Sequence, residues 1–280
     1  MVVVIAVVGL SACSGSGVRT GKTVVAAFYP LAWAAQEIGG PGLHVVNLTP
    51  AGAEPHDIEL TPRDVQKVQS ADLVLYLGKG FQPALEMAVA SRHGPSLDLL
   101  AGQALASAPT GGETALDPHV WLDPIRFARM AMSIGNALHR RREAVRLEGR
   151  LRLLDGEFRN GLRSCRRHEI VTSHAAFGYL AKRYGLEQIA LTGLAPEVEP
   201  SPRDLQNLVD EVKRSGATTV FFETLVSPRL AQTVAREAGA ATAVLDPIEG
   251  LTQDELRAGD DYASIMRSNL VALRKALACR

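Results

Sequence analysis

TPRDVQ, at Thr61–Gln66, returns as SPRDLQ at Ser201–Gln206. Each copy opens with a hydroxyl residue able to accept from the first free N–H groups of a helix. Each continues with a proline whose fixed φ suits the first helical position, and each has an acid in the first turn. Two helix starts of this quality could coincide by chance, but their surroundings match as well. DLVLYLG (Asp72–Gly78) follows the first and TTVFFET (Thr218–Thr224) the second, and a helix-forming stretch follows each strand. The shared order predicts a duplicated unit, and so two lobes.

On either side of the two copies, strands and helices alternate. In the first half come TVVAAFYP (Thr23–Pro30), helix-forming LAWAAQEIGG and LHVVNLTP (Leu43–Pro50); in the second come HEIVTSH (His168–His174), AAFGYLAKRYG, LEQIALTG and ATAVLDP (Ala241–Pro247). Short β-branched strands separated by helices predict parallel sheets covered on both faces. The expected fold is therefore α/β, with two (βα)-type lobes at residues 23–123 and 162–280. Between them, residues 124–161 are mostly helix-forming with no proline after Pro124, which predicts one long linking helix, or two in line. In such folds ligands collect outside the carboxyl ends of the strands.

The composition is globular, with 280 residues, 46% of them hydrophobic and 21% charged. Thirty basic and thirty acidic side chains leave no formal net charge, so there is no electrostatic footprint for nucleic acid. The first residues, MVVVIAVVGLSAC, have the apolar core and small residues of a secretory leader. LSAC, Leu10–Cys13, is similar to the lipobox of bacterial lipoproteins, which implies a signal peptide at 1–12, lipid attachment at Cys13 and a flexible tether over 13–22. No Lys or Arg precedes the apolar run, a departure from the usual positive start. Export then leaves Cys165 and Cys279 in a compartment where they could pair or remain free; their sequence positions do not decide.

Several chemistries are set aside by motif. There is no GxGxxG after the first strand, no Walker-type phosphate loop and no GxSxG nucleophile elbow. Of seven histidines, His44, His93, His139 and His168 read as solvated. The other three share a setting. His56 lies in the proline- and glycine-punctuated loop TPAGAEPHDIELTP, His119 in the stiff LDPHVWLDP, and His174 at the end of EIVTSH. Prolines fix their own φ and extend the residue before them, so LDPHVWLDP is a rigid loop that would aim His119 in one direction. Asp246 ends the strand ATAVLDP in the same way. Taken singly, each is most often structural. Together, three imidazoles and a carboxylate from two lobes suit Zn²⁺, whereas Mn²⁺ prefers more oxygen.

These segments, read with GAEPHDIELTPRDVQKVQSADLVLYLG, VTSHAAFGYLAKRYGL, EPSPRDLQNLVDEVK, VFFE and VLDPIEGL, resemble the metal-binding solute-binding proteins of bacterial ABC importers, the zinc and manganese group. The resemblance covers nearly all of the mature chain. It implies two lobes joined by one long helix, with metal in the interlobe cleft held by His56, His119, His174 and Asp246. Histidine at the third position is the zinc form of the pattern, with manganese the alternative cargo. Two departures matter: the residues before His119, ASAPTGGETALDP, lack a histidine-rich loop, and Pro55 stands where some members have glutamate.

The expected protein is a monomeric, non-enzymatic Zn²⁺ receptor, lipid-anchored on the extracytoplasmic face of the membrane or periplasmic, serving an ABC permease. Asp117, Asp123 or Glu223 would support the ligand rings from behind. A zinc hydrolase, with three ligands, a water and Glu223 or Glu54 as base, is the alternative from another class. A surface adhesin, a role proposed for some relatives, has no marker here.

Overall fold

The computed structural model describes residues 21–110, 113–195 and 201–280. The expected signal peptide, Cys13 and most of the tether lie outside the described residues. The first lobe runs β1 (Thr23–Ala26), α1 (Tyr29–Gly39), β2 (His44–Asn47), α2 (Pro62–Ser70), β3 (Leu73–Tyr76), α3 (Pro83–Ala90) and β4 (Ser96–Asp98). An antiparallel hairpin, β5 (Ser107–Thr110) and β6 (Glu113–Leu116), follows, then the helices α4 (Pro124–Ala137) and α5 (Arg141–Leu162). The second lobe runs β7 (Glu169–Thr172), α6 (Gly178–Tyr184), β8 (Glu187–Ala190), α7 (Pro202–Ser215), β9 (Thr219–Phe222), α8 (Arg229–Ala238) and β10 (Ala241–Val244). Helices α9 (Gln253–Ala258) and α10 (Tyr262–Ala276) complete it.

Both four-stranded sheets are parallel, and their orders correspond: β2-β1-β3-β4 in the first lobe and β8-β7-β9-β10 in the second. The repeated PRD segments occupy equivalent places, since α2 and α7 each connect the second strand of their sheet to the third. Their starts form as their sequences require. Thr61 accepts from the Asp64 N–H while the Asp64 carboxylate accepts from the Thr61 N–H, and Ser201 accepts from the Asp204 N–H. The α/β fold and its two parallel sheets are as expected from sequence.

The linking segment is two helices and not one. The chain leaves α4 through Leu138, and His139 takes φ 57° before α5 begins. A left-handed residue ends the helical path, and the two helices pack on each other closely enough that a Cβ on Gly135 would lie 2.3 Å from the Ala144 Cβ. The apolar stripe of α5, Leu147, Leu151, Leu154 and Phe158, is buried in a core that also takes Phe28 and Val74 of the first lobe and Phe177 and Phe221 of the second. A smaller cluster, including Val171, Val209, Val220 and Val234, fills the far side of the second sheet.

The C-terminal helix returns to the first lobe. Tyr262 of α10 stacks on Trp33 of α1 at 5.1 Å and meets Phe127 of α4 at 4.6 Å, while Arg267 pairs with Glu157 of α5 at 2.8 Å. Cys165 and Cys279 are joined in a disulfide, which ties the end of the chain to the entrance of the second lobe. Among the described residues no helix is long and apolar enough to cross a membrane.

Candidate metal centre

Four loops at the carboxyl ends of the strands meet between the sheets. His56 comes from the loop between β2 and α2, and His174 stands two residues past the end of β7. His119 lies between the hairpin and α4, at φ −75°, ψ 37°. The fourth residue of the cluster is Glu249, in the loop after β10. One donor atom from each of these four lies within 4.8 Å of all the others. His119, His174 and Glu249 are buried, and the His56 side chain retains 10% exposure.

Asp246 is not in this cluster, which corrects the expectation for the fourth position. Its oxygens are committed elsewhere: one accepts from the Ile248 N–H at 2.6 Å, the other from the Thr224 hydroxyl at 2.9 Å. Its backbone is held as well, with Asn269 accepting from its N–H at 2.9 Å and donating to its carbonyl at 2.6 Å. Burial pushes the Asp246 carboxyl up to about 7. Asp246 therefore shapes the turn that delivers Glu249. Within that turn Ile248 takes φ 57°, a strained value for a β-branched residue. Glu249 lies within VLDPIEGL; the available signal is a second acid three residues beyond Asp246 and five beyond the end of β10, in the same loop as the first.

The rings are set by carboxylates behind them. Asp117 accepts from the Nδ1–H of His119 at 2.8 Å and from its backbone N–H at 2.9 Å, and Glu223 accepts from the Nδ1–H of His174 at 2.7 Å. Asp123, the third carboxylate considered from sequence, does not reach a ring. It caps α4, accepting from the N–H groups of Ile125 and Arg126 at 2.9 and 3.2 Å, and pairs with Arg183. With Nδ1 carrying the proton, each ring turns Nε2 to the centre. Trp121 reaches across from the same loop, donating to the carbonyl of Pro247 at 2.7 Å, and so ties the His119 loop to the Glu249 loop.

The donor spacing identifies the kind of guest. Glu249 Oε1 lies 3.2, 3.1 and 3.5 Å from Nε2 of His56, His119 and His174, and the last two Nε2 atoms are 3.2 Å apart. A tetrahedral ion with bonds of about 2.0–2.1 Å has ligand–ligand edges of about 3.3–3.4 Å. Two imidazole lone pairs at such a distance require a proton or a cation between them. Glu249 Oε2 is buried with no hydrogen-bond partner, a lone-pair donor left over after the protein's own bonds are made. Three nitrogens and one carboxylate fit Zn²⁺ better than an oxygen-seeking ion.

Without a cation the cluster holds protons. Burial pulls the His119 imidazole down, but the hydrogen bonds with Asp117 and Glu249 outweigh it and raise the group above its ordinary value. For His174 burial is likewise outweighed, by the charges of Glu223 and Glu249, and the imidazole stands well above its usual range. Burial raises Glu249, but His56 and His174, with hydrogen bonds from His119 and His174, hold it well below the usual carboxylate range. Glu54, whose Oε1 accepts from the His56 N–H at 3.1 Å, is pushed up to about 9 by burial, the Glu249 charge adding to it.

The family model for zinc-uptake complex component A, periplasmic (ZnuA), matches residues 24–276. The zinc-binding lipoprotein AdcA of Streptococcus pneumoniae is 34% identical over 290 residues, which cover 95% of this chain and 58% of AdcA. This chain thus spans little more than half the length of the AdcA relatives it matches. The high-affinity zinc uptake system protein ZnuA of Bacillus subtilis is 33% identical over 298 residues, 98% of this chain and 93% of that protein. Among solved structures, the Zn(II)-bound ZnuA-like domain of S. pneumoniae AdcA superposes with TM-score 0.79 at 33% identity, covering 92% of this chain and 99% of that one. The laminin-binding protein Lmb of Streptococcus agalactiae, described as an adhesin with metal-transporting activity, superposes with TM-score 0.82 at 29% identity, covering 92% and 100%.

Proposed function

This chain belongs to the zinc-uptake complex component A family, and on that premise we propose that it is an extracytoplasmic receptor which binds one Zn²⁺ between its lobes and delivers it to the permease of an ABC importer. His56, His119, His174 and Glu249 are the ligands. The observation that carries this is the spacing of the cluster: four of its six donor pairs stand 3.1–3.5 Å apart, close to the edges of a tetrahedral zinc site, and all four donors lie within 4.8 Å of one another. Zinc is the cargo. Four protein ligands close its coordination, so release requires that the loops part. In keeping with that role, the relatives AdcA and ZnuA are named for zinc binding and zinc uptake.

No catalytic step belongs to this reading. Of the two bases considered for a hydrolase, Glu223 is engaged by His174 Nδ1, and Glu54, raised to about 9, carries its proton at neutral pH. Residues 23–123 and 162–280 form the two lobes, with 124–161 between them. Cys13 of LSAC is the site of lipid attachment, which would hold the receptor at the membrane face beside its permease; intact-mass analysis of protein from a membrane fraction, against Cys13→Ala, tests that part.

The receptor reading is tested by chelator-competition titration of the metal-stripped protein with Zn²⁺ and Mn²⁺ in parallel. One tight zinc site per chain, with manganese much weaker, is expected. Tight manganese binding overturns the choice of cargo, and no tight site for either metal overturns the reading.

A further inference from the structure

The loop that carries His119 begins at Asp117 and ends at Asp123, and one short helix of the opposite lobe touches both ends. The hydroxyl of Tyr179 donates to the carbonyl of Asp117 at 2.9 Å and accepts from the N–H of Ala106 at 2.9 Å. Ala106 and Asp117 are themselves the base of the β5–β6 hairpin, joined by the Asp117 N–H donating to the Ala106 carbonyl at 2.8 Å. One turn further along α6, Arg183 donates from Nε to the carboxylate of Asp123. Residues four apart share a helix face, so Tyr179 and Arg183 present to the loop together.

The other end of α6 leads back to the metal centre. His174 is followed by a 3₁₀ turn, Ala175–Phe177, and then by α6 without a break. The carbonyl of His174 is fixed by the Thr172 hydroxyl at 2.8 Å and by Gln188 Nε2 at 3.0 Å. The grip is buried and braced: Tyr179 is 3% exposed, the Arg126 guanidinium lies 4.4 Å over its ring, and Arg183 is also tied to Asp155 of α5 at 3.4 Å.

We propose that α6 is an interlobe clamp, and that Tyr179 and Arg183 are positioning residues for zinc. The helix carries His174 at its entrance and pins both ends of the His119 loop, so that these two imidazoles are held as a preorganised pair across the lobes. Neither residue touches the ion. They act through Asp117, whose carboxylate orients His119, and through Asp123, which fixes the start of α4. This deepens the receptor reading and rests on it.

The test is stopped-flow zinc dissociation into excess chelator from wild type, Tyr179→Phe, Arg183→Met and Tyr184→Phe, with melting temperatures of the metal-free forms. Tyr184→Phe removes a hydroxyl from the same helix that bonds only Asp155, at 3.2 Å, and serves as the stability control. Tyr179→Phe and Arg183→Met are expected to release zinc about 3- to 10-fold faster, below the about 10- to 100-fold cost of losing a group bonded directly to a ligand ring. Tyr184→Phe is expected to release it at the wild-type rate even where its melting temperature falls as far. Dissociation rates that follow the loss of melting temperature across all three variants, or an unchanged rate in Tyr179→Phe, overturn the clamp. Failure of the wild-type protein to bind zinc tightly would instead overturn the receptor reading, so the two failures are distinct.

Discussion

Asp117→Asn removes one charge behind His119 while keeping the size of the side chain. In the wild type a single oxygen, Oδ1, accepts both from Nδ1–H at 2.8 Å and from the backbone N–H at 2.9 Å. The amide oxygen of asparagine can accept the same two bonds, so the loop keeps its course and the His119 tautomer is preserved. What is lost is the negative charge that makes Nε2 a stronger donor to the metal. Loss of such a partner typically weakens metal binding about 10- to 100-fold, or about 1.4–2.7 kcal/mol. The same charge raises the His119 pKa in the metal-free state. Its removal therefore lightens the competition from protons, and the penalty on zinc affinity should shrink as pH falls from 8 to 6. Chelator-competition titrations across that range, with melting curves of the metal-free form, measure both effects. A change in affinity below about threefold at pH 8, with the fold intact, would refute the reasoning, because it would mean that Asp117 sets geometry alone.

Replacing the ligand itself should cost more: Glu249→Ala is expected to weaken zinc by more than the ~100-fold upper range for supporting groups, whereas Asp246→Asn, which keeps the acceptor for the Ile248 N–H, should weaken it less than about tenfold. Parallel titration of the two variants checks the ordering. Binding should also release protons, because His119 and His174 are raised in the metal-free cluster and zinc requires their Nε2 lone pairs. Calorimetry in two buffers of different ionisation enthalpy counts those protons, and affinity should fall as pH falls through the raised imidazole values. The stability of the metal-free protein should decline from pH 6 to 9. The raised His174 contributes stability below its unfolded value and loses it as pH rises through the folded one; the penalty on ionised Glu54, raised by burial to about 9, grows across the span, and that on Asp246, raised to about 7, only until about pH 7. At the acid end the lowered Glu249 works in the opposite sense, losing its contribution as pH falls through its folded value. Melting temperatures that climb steadily from pH 6 to 9 would contradict this. Finally, Gly135→Ala places a Cβ 2.3 Å from that of Ala144 and should destabilise the fold by about 1–3 kcal/mol in urea titration, with zinc stoichiometry unchanged.

Local signals were legible where the chemistry is local. The paired PRD starts need only a hydroxyl, a proline and an acid in sequence, and they mark equivalent helices in the two sheets. The three histidines were legible because each stands next to a strand end or a proline-fixed loop, and strand ends face the cleft. Glu249 was not, because its arrival depends on tertiary events: the Asp246 carboxylate bending the turn, Ile248 at positive φ, and Trp121 holding the Pro247 carbonyl. Asp246 resembled a ligand for the same reason, being the acid nearest the strand end. The break between α4 and α5 carries no proline or glycine at the turning residue; His139 supplies the left-handed conformation, which sequence seldom announces. The Cys165–Cys279 pairing spans 114 residues and is set by where the end of α10 meets the segment before β7, so spacing could not decide it.

The most direct test of the central claim is a crystal structure of the zinc-loaded protein with anomalous data collected at the zinc edge. The account predicts one ion about 2.0–2.1 Å from Nε2 of His56, His119 and His174 and about 2.0–2.2 Å from a Glu249 carboxylate oxygen. An ion ligated by Asp246, an ion held by three side chains and a water with Glu249 turned away, or an ion at another place in the fold would contradict it.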